Sequence, residues 1–288
     1  VSDYIQIIQD SYTGYWTYLK NEFLEPRWNN YLWWLIALSL VVWLLEIAFP
    51  WRKNQGIIRK DFWLDGFYMF FNFFLFSLIG FSALSNVGVN LFNDFLGLFG
   101  VTNLVAFEIQ SWPVWSQLLL MFVLADFLQW NIHRLLHRVP WLWEFHKVHH
   151  SVEQMGFAAQ FRYHWMENIV YKTLQYIPLA MIGFGLDDFF IIHIIAVAIG
   201  HLNHANVGIG WGPLKYILNS PKMHIWHHAM EIPKDSYGVN FGLSLSIWDY
   251  IFGTAYMPKD GRDTPLGFPK LSQFPKTFFK QIIYPFKK

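Results

Sequence analysis

The sequence predicts an all-α, polytopic membrane protein with a histidine-rich helical cap on its cytosolic side. Three observations point there. Of the 288 residues, 54% are hydrophobic and 14% charged, whereas a soluble domain carries about 25% charged residues. Several runs of nearly twenty residues are apolar and rimmed by Trp and Tyr, as membrane helices are. Eight of the twelve histidines fall into three short clusters, HRLLH, HKVHH and HIWHH, which the charge pattern puts on one face of the membrane.

Taken in order, YLWWLIALSLVVWLLEIAF (31–49) is a first span, with one charge, Glu46, near its end. GFYMFFNFFLFSLIGFSAL (66–84) is a second, and WPVWSQLLLMFVLADFLQW (112–130) a third, broken by Asp126. IVYKTLQYIPLAMIGFGL (169–186) and FFIIHIIAVAIGHLNHANV (189–207) are read as a fourth and fifth, joined through Asp187 and Asp188. The interrupted stretch 92–107 suits an interfacial or re-entrant piece. The N-terminus lacks the basic region and apolar run of a signal peptide.

Loop charges set the orientation. WRKNQGIIRK (51–60) holds four basic residues, the 87–110 loop only Asp94 and Glu108, and the chain after residue 205 ten basic against five acidic. Basic loops stay cytosolic, which puts 51–60, 133–168 and the C-terminal region inside and, with five spans, the N-terminus outside. A net charge of +1 gives no indication of nucleic acid. With no cysteine, disulfides, zinc fingers and thiolate-held clusters are excluded, and any metal must take nitrogen or oxygen ligands.

His133 and His137 are four residues apart, so one helix face presents both. Pro140 then ends or bends that helix. His146, His149 and His150 share one helical flank, and His224, His227 and His228 repeat the spacing. Neutral imidazole is a good ligand for iron, zinc or copper. Eight nitrogens exceed what one ion coordinates, so two metals are expected. His201 and His204, in HLNHAN, can reach a shared site, giving ten candidate ligands. His193, inside FFIIHIIAV, reads as a hydrogen-bonded core residue.

Around these, Asp126 could accept the free N–H of a ligating imidazole or make a buried hydrogen bond to another helix. Asp249 could orient a ligand or cap a turn. Asn240 lies among glycines, as a turn residue or beside the site. His164, in FRYHWME, could be a ligand, a support behind the ligands or an interfacial anchor.

This arrangement resembles the fatty acid hydroxylase/sterol desaturase family of integral membrane di-iron enzymes. The family's HxxxH box matches His133 and His137, and its HxxHH boxes match His146, His149, His150 and His224, His227, His228. RVPWLWEFHKVHHS, NSPKMHIWHH and YGVNFGLSLSIWDYIFGTAYMP extend the match over about 112–257, and the histidine preceding "AN" falls on His204. The resemblance implies two iron ions (with zinc a ready substitute in a purified sample), O2 as co-substrate, and hydroxylation or desaturation of a fatty acyl or sterol-like lipid. It also implies an external electron donor such as a ferredoxin or cytochrome with its reductase. Residues 1–111 are then a membrane-anchoring region, 112–257 the catalytic region and 258–288 a basic tail. The competing readings are a zinc-dependent lipid hydrolase, with Glu153 or Glu231 as base, and a metal transporter.

Overall fold

A computed structural model describes residues 3–101 and 105–287. Those residues contain twelve α-helices and no sheet, only isolated bridges such as that pairing Pro50 with Val207. Four helical stretches are long and apolar enough to cross a membrane: Tyr31–Ala48, Phe62–Gly80, Val114–Arg138 and Leu186–His204. In the first of these, Leu40, Val41 and Leu44 are all exposed. A helix apolar all round and little covered by protein is one that meets lipid.

The described chain opens with α1 (Tyr4–Leu24), a helix without an apolar run. Asp3 caps it by accepting from the Ile5 and Gln6 amides. It packs along α4 (Ser82–Gly97), tied by Tyr4 Oη to Asp94 at 2.8 Å and Asn86 Nδ2 to Ser11 Oγ at 2.8 Å. α2 (Tyr31–Ala48) follows. The second crossing stretch joins α3 (Phe62–Phe70) to two π-helical turns, Phe71–Leu75 and Ser77–Phe81. The expected interfacial piece at 92–107 is in part α4; its residues 102–104 lie outside the described ones.

The third span is longer than expected. α5 runs Val114–Arg138, so HRLLH forms its last two turns. Val139 breaks the helix, and Pro140 sits in the first turn of α6 (Pro140–His150), where its missing N–H costs nothing.

The span expected at 169–186 is not among the four. That stretch is divided into α7 (Trp165–Tyr171), a π turn (Lys172–Tyr176) and α8 (Ile177–Ile182). It carries Lys172, a buried Gln175 and Pro178, and it stops at Gly183 with φ +121°. α9 (Leu186–His204) follows directly. Though broken, the stretch before it runs from the histidines, where Glu167 bonds His146, to the opposite end of α5, where the Met181 and Ile182 carbonyls accept from the Ala106 and Phe107 amides, so that α9 can return to the histidines.

α9 delivers His204 to the cap, which is completed by α10 (Pro221–His227), α11 (Ile247–Ile251) and α12 (Phe278–Ile283). Glu46, at the end of α2, fastens the cap to the spans: its Oε1 accepts from the Phe157 amide at 2.9 Å and the Asn206 amide at 2.7 Å. The C-terminal region packs over α3 and α6 through Phe268, Phe274 and Phe278, which lie against Tyr68 and Val148.

Candidate metal centre

Nine histidines from α5, α6, α9 and α10 converge, all buried, and divide into two groups. His133, His137, His146, His150 and His227 form one, and His149, His204, His224 and His228 the other. Within each, the ligand nitrogens lie within 4.8 Å of one another. α6 contributes to both, because His149 and His150 point about 100° apart on their helix. α10 does the same through His227 and its C-cap residue His228.

Outer hydrogen bonds orient the rings. His133 Nδ1–H donates to the Phe241 carbonyl at 2.8 Å, His227 Nδ1–H to Val239 at 2.8 Å and His137 Nδ1–H to Tyr237 at 3.1 Å. The segment YGVNF thus offers every second carbonyl to a different imidazole. His146 Nδ1–H donates to Glu167 Oε2 at 3.0 Å, His149 to the Arg162 carbonyl at 3.3 Å and His204 to Gly200 at 2.7 Å. Each of these bonds fixes the tautomer with the Nε2 lone pair turned inward.

That choice has a consequence. His133 Nε2 and His146 Nε2 are 3.1 Å apart, and His149 Nε2 and His204 Nε2 are 3.4 Å apart. Both members of each pair have spent their proton on Nδ1, so two lone pairs face each other with nothing to donate between them. His227 Nε2, His224 Nδ1 and both nitrogens of His228 are buried without any partner. Unsatisfied buried nitrogens are costly, and a cation in each group relieves them. The donor set fits two metal ions. Burial first, and then the neighbouring imidazoles, hold His146, His149, His150, His224, His227 and His228 well below the usual imidazole range. They are therefore neutral near pH 7, the state in which imidazole binds metal.

The remaining site candidates lie as follows. His201 stands outside both groups: its Nε2 is 3.1 Å from Ser39 Oγ and its ring lies between Phe157 and Phe161. On a helix, a residue three before His204 points away from it by some 60°. His201→Ala is expected to keep both ions and to lower only stability; metal analysis of the purified variant checks this. His164 caps α7 by accepting from the Met166 amide at 3.1 Å, and its Nε2–H donates to the Ile282 carbonyl at 2.9 Å. Asp126 touches no imidazole and instead accepts from the Ser244 and Leu245 amides and Trp248 Nε1. Asp249 accepts from Trp130 Nε1 and the Phe241 and Gly242 amides. Asn240, at φ +52°, closes a turn by bonding the Met223 and Tyr256 backbones. His193 pairs with Tyr176 Oη at 2.8 Å.

Two contributors were not singled out from the sequence. Glu167 supports His146, and burial pushes its carboxyl up to about 8, so a nearby positive charge favours its ionised form. Its signal was a lone carboxylate entering an apolar run three residues after His164. Glu167→Ala should cost about 10–100-fold in metal affinity or activity, read by iron titration. Arg162, whose carbonyl serves His149, is buried between Asp61 and Asp65 at 3.0 and 3.1 Å. Asp65 also binds Arg59, so one of the four basic residues of 51–60 is buried in an ion pair.

Beside the two groups lies a cavity of about 440 Å³. His133, His146, His149, His204 and His224 form part of its wall. Much of the rest comes from α5, α7, α9, α1 and the three π turns among the described residues, which contribute Asn72, Ser77 and Lys172. π turns often mark functional positions in helices.

Buried imidazoles in two convergent sets, carried by membrane helices and opening on a cavity, define a helical membrane protein of the histidine-box class. Residues 118–254 match the family model described as fatty acid hydroxylase. The chain is 34% identical over 178 residues to the ornithine lipid hydroxylase OlsE of Rhizobium tropici, covering 62% of this chain and 53% of that protein. It is 33% identical over 137 residues to human (Homo sapiens) alkylglycerol monooxygenase, covering 46% and 29%. The very-long-chain aldehyde decarbonylase GL1-10 of Oryza sativa subsp. japonica is 29% identical over 143 residues, covering 48% and 46%. The chain thus spans about half or less of these relatives' lengths, and no solved structure gives a significant match.

Proposed function

We propose that this protein is a membrane di-iron oxygenase that hydroxylates or desaturates a lipid. The observation that carries the reading is the set of inward lone pairs: nine buried imidazoles, six with the outer proton already donated, beside a cavity walled by membrane helices. The names of the relatives, a hydroxylase, monooxygenases and a decarbonylase acting on lipids, support the same chemistry.

Two irons, held by His133, His137, His146, His150, His227 and by His149, His204, His224, His228, would supply reduction of O2 and oxidation of a C–H bond. In hydroxylation a C–H bond breaks and a C–O bond forms; one oxygen atom enters the lipid, and the other leaves as water with two protons and two electrons. In desaturation the lipid loses two hydrogens, and the same two electrons and two protons complete reduction of O2 to two waters. A reduced ferredoxin or cytochrome supplies those electrons. The chain's own part is to hold each imidazole in one tautomer through the carbonyls of 237, 239 and 241, and to keep water from the cavity. The basic segment 51–60 and the basic C-terminal region support a cytosolic position for the centre.

The hydrolase alternative loses its proposed bases: Glu153 is exposed and paired with Lys60, and Glu231 is exposed. The transport alternative needs polar residues strung along a path, whereas the nine histidines gather in one place. Iron loaded without oxygen should reach about two ions per chain, with O2 consumed only when reductant and lipid are both present. Turnover that persists without O2, or with zinc in place of iron, would sink the reading.

A further inference from the structure

Two stretches of the cap carry large apolar side chains on their outer surface. Leu214 and Ile217 belong to a 3-10 turn, Gly212–Tyr216, and the residue that follows it; Ile251 and Phe252 belong to α11 and its C-cap. Their exposures run from 48% to 60%, like the 55% of Val41 on the crossing helix α2. The two stretches adjoin. The rings of Tyr216 and Tyr250 are 4.9 Å apart, the Ser246 amide donates to the Ile217 carbonyl at 3.0 Å, and Ser246 Oγ donates to the Lys215 carbonyl at 2.6 Å. A water-facing surface seldom gathers such side chains together.

Their depth is set by α5. Trp248 packs on Phe127 and Phe252 on Trp130, with ring centres 4.8 and 4.7 Å apart, and Asp126 accepts from the Ser244 and Leu245 amides. Phe127 and Trp130 lie roughly 12–17 Å back from the end of α5 at Arg138, along a helix able to cross the membrane. One turn nearer that end, Arg134 sets its guanidinium over Trp130 at 4.5 Å, and Lys215 sets its ammonium over Tyr216 at 5.1 Å. Trp and Tyr beside long basic side chains suit the boundary between acyl chains and head groups.

The backbone here is also paired as lipid requires, within the protein. Leu218 bridges to Leu245, and the Asn219 amide donates to the Ser244 carbonyl at 2.9 Å. The buried side-chain amides of Asn203 and Asn219 donate to the Leu243 and Gly242 carbonyls. Together with Asp126, three buried polar side chains thus serve the main chain of 242–245, a task that solvent performs for a loop in water.

We infer that residues 211–217 and 247–252 form a shoulder of the cap immersed in the leaflet on the histidine side, with the acyl chains of bulk lipid as its partner. Leu214, Ile217, Ile251 and Phe252 meet the chains, and Lys215 and Arg134 reach back toward the head groups. This contact needs only that α5 crosses the membrane, whatever reaction the metal centre performs.

The chain has no cysteine, so a nitroxide can be placed at a single site without background. Leu214→Cys, Ile217→Cys, Ile251→Cys and Phe252→Cys are each labelled in the full chain, in nanodiscs of phosphatidylcholine and phosphatidylglycerol. Val41→Cys gives the lipid-facing reference and the exposed Glu231→Cys the water-facing one. Power-saturation EPR compares collision with O2, which concentrates among acyl chains, and with a neutral nickel chelate, which stays in water. The ratio of the two should be close to that of Val41→Cys and well above that of Glu231→Cys. A ratio like that of Glu231→Cys at two or more of the four positions would put the shoulder in water and overturn the assignment. Loss of both collisions with spin–spin broadening would mean that a second copy of the chain covers this face, and would overturn it equally.

Discussion

Alanine at any one of the nine grouped histidines is expected to abolish turnover while the protein still inserts in the membrane, but the two groups should differ in iron content. His149, His204, His224 and His228 form a four-donor group, and removing one leaves three nitrogens. His133, His137, His146, His150 and His227 form a five-donor group, and removing one still leaves four. Four nitrogens remain an ordinary ligand set for a first-row divalent ion, so metal should persist there with altered redox behaviour. His224→Ala and His228→Ala should therefore fall from about two irons per chain to about one. His137→Ala and His150→Ala should retain most of their iron yet form no product. The spans do not depend on these side chains, which lie at helix ends or in the cap, so insertion continues. Iron content and product yield measured on the same preparations decide the matter. Full iron and full activity in His149→Ala or His227→Ala would show that the boxes are not the metal centre.

Much of this was legible because spacing on a helix is a geometric statement. HRLLH, HKVHH and HIWHH put their imidazoles on shared faces whatever the surrounding fold. The division into five and four was not legible. It depends on α6 and α10 each standing between the groups, so that adjacent histidines such as His149 and His150 serve different ones. Both His201 and His204 are within reach of a shared site in HLNHAN, with the resemblance resting on His204 alone, and the rotation of α9 sends His204 to the four-histidine group and His201 to Ser39. The apolar runs at 31–49, 66–84, 112–130 and 189–207 each correspond to a crossing helix, with ends shifted by a few residues. The run at 169–186 differs in being broken: hydropathy averages over Lys172, Gln175 and Pro178, while the backbone responds to them with a π turn and a stop at Gly183. α1 was invisible for the opposite reason: its polar and aromatic residues are mixed, and its place against α4 rests on side-chain hydrogen bonds between distant segments.

Asp249→Ala is expected to be the most destabilising change outside the histidines, and to take iron from one group only. The side chain is fully buried and accepts from Trp130 Nε1, the Phe241 amide and the Gly242 amide, each at 2.9 Å, and from Thr254 Oγ1 at 2.6 Å. Alanine leaves three buried N–H donors without partners, and at about 1–3 kcal/mol each the loss is on the order of 3–9 kcal/mol. The effect reaches the imidazoles through one peptide. Asp249 fixes the Gly242 amide, and the carbonyl of that same peptide, Phe241's, accepts from His133, while the carbonyls of Val239 and Tyr237 on the same strand of chain accept from His227 and His137. All three of those rings belong to the five-histidine group. The Nδ1 partners of His149 and His204 are carbonyls of Arg162 and Gly200, on segments that Asp249 does not touch. The variant should unfold at a markedly lower temperature in detergent, and should lose iron from the five-histidine group before the other. Asp249→Asn keeps one acceptor oxygen and should fall between. An unchanged unfolding temperature with two irons retained in Asp249→Ala would mean that the 237–242 segment is held by its other contacts and that the carbonyl ladder does not need this carboxylate.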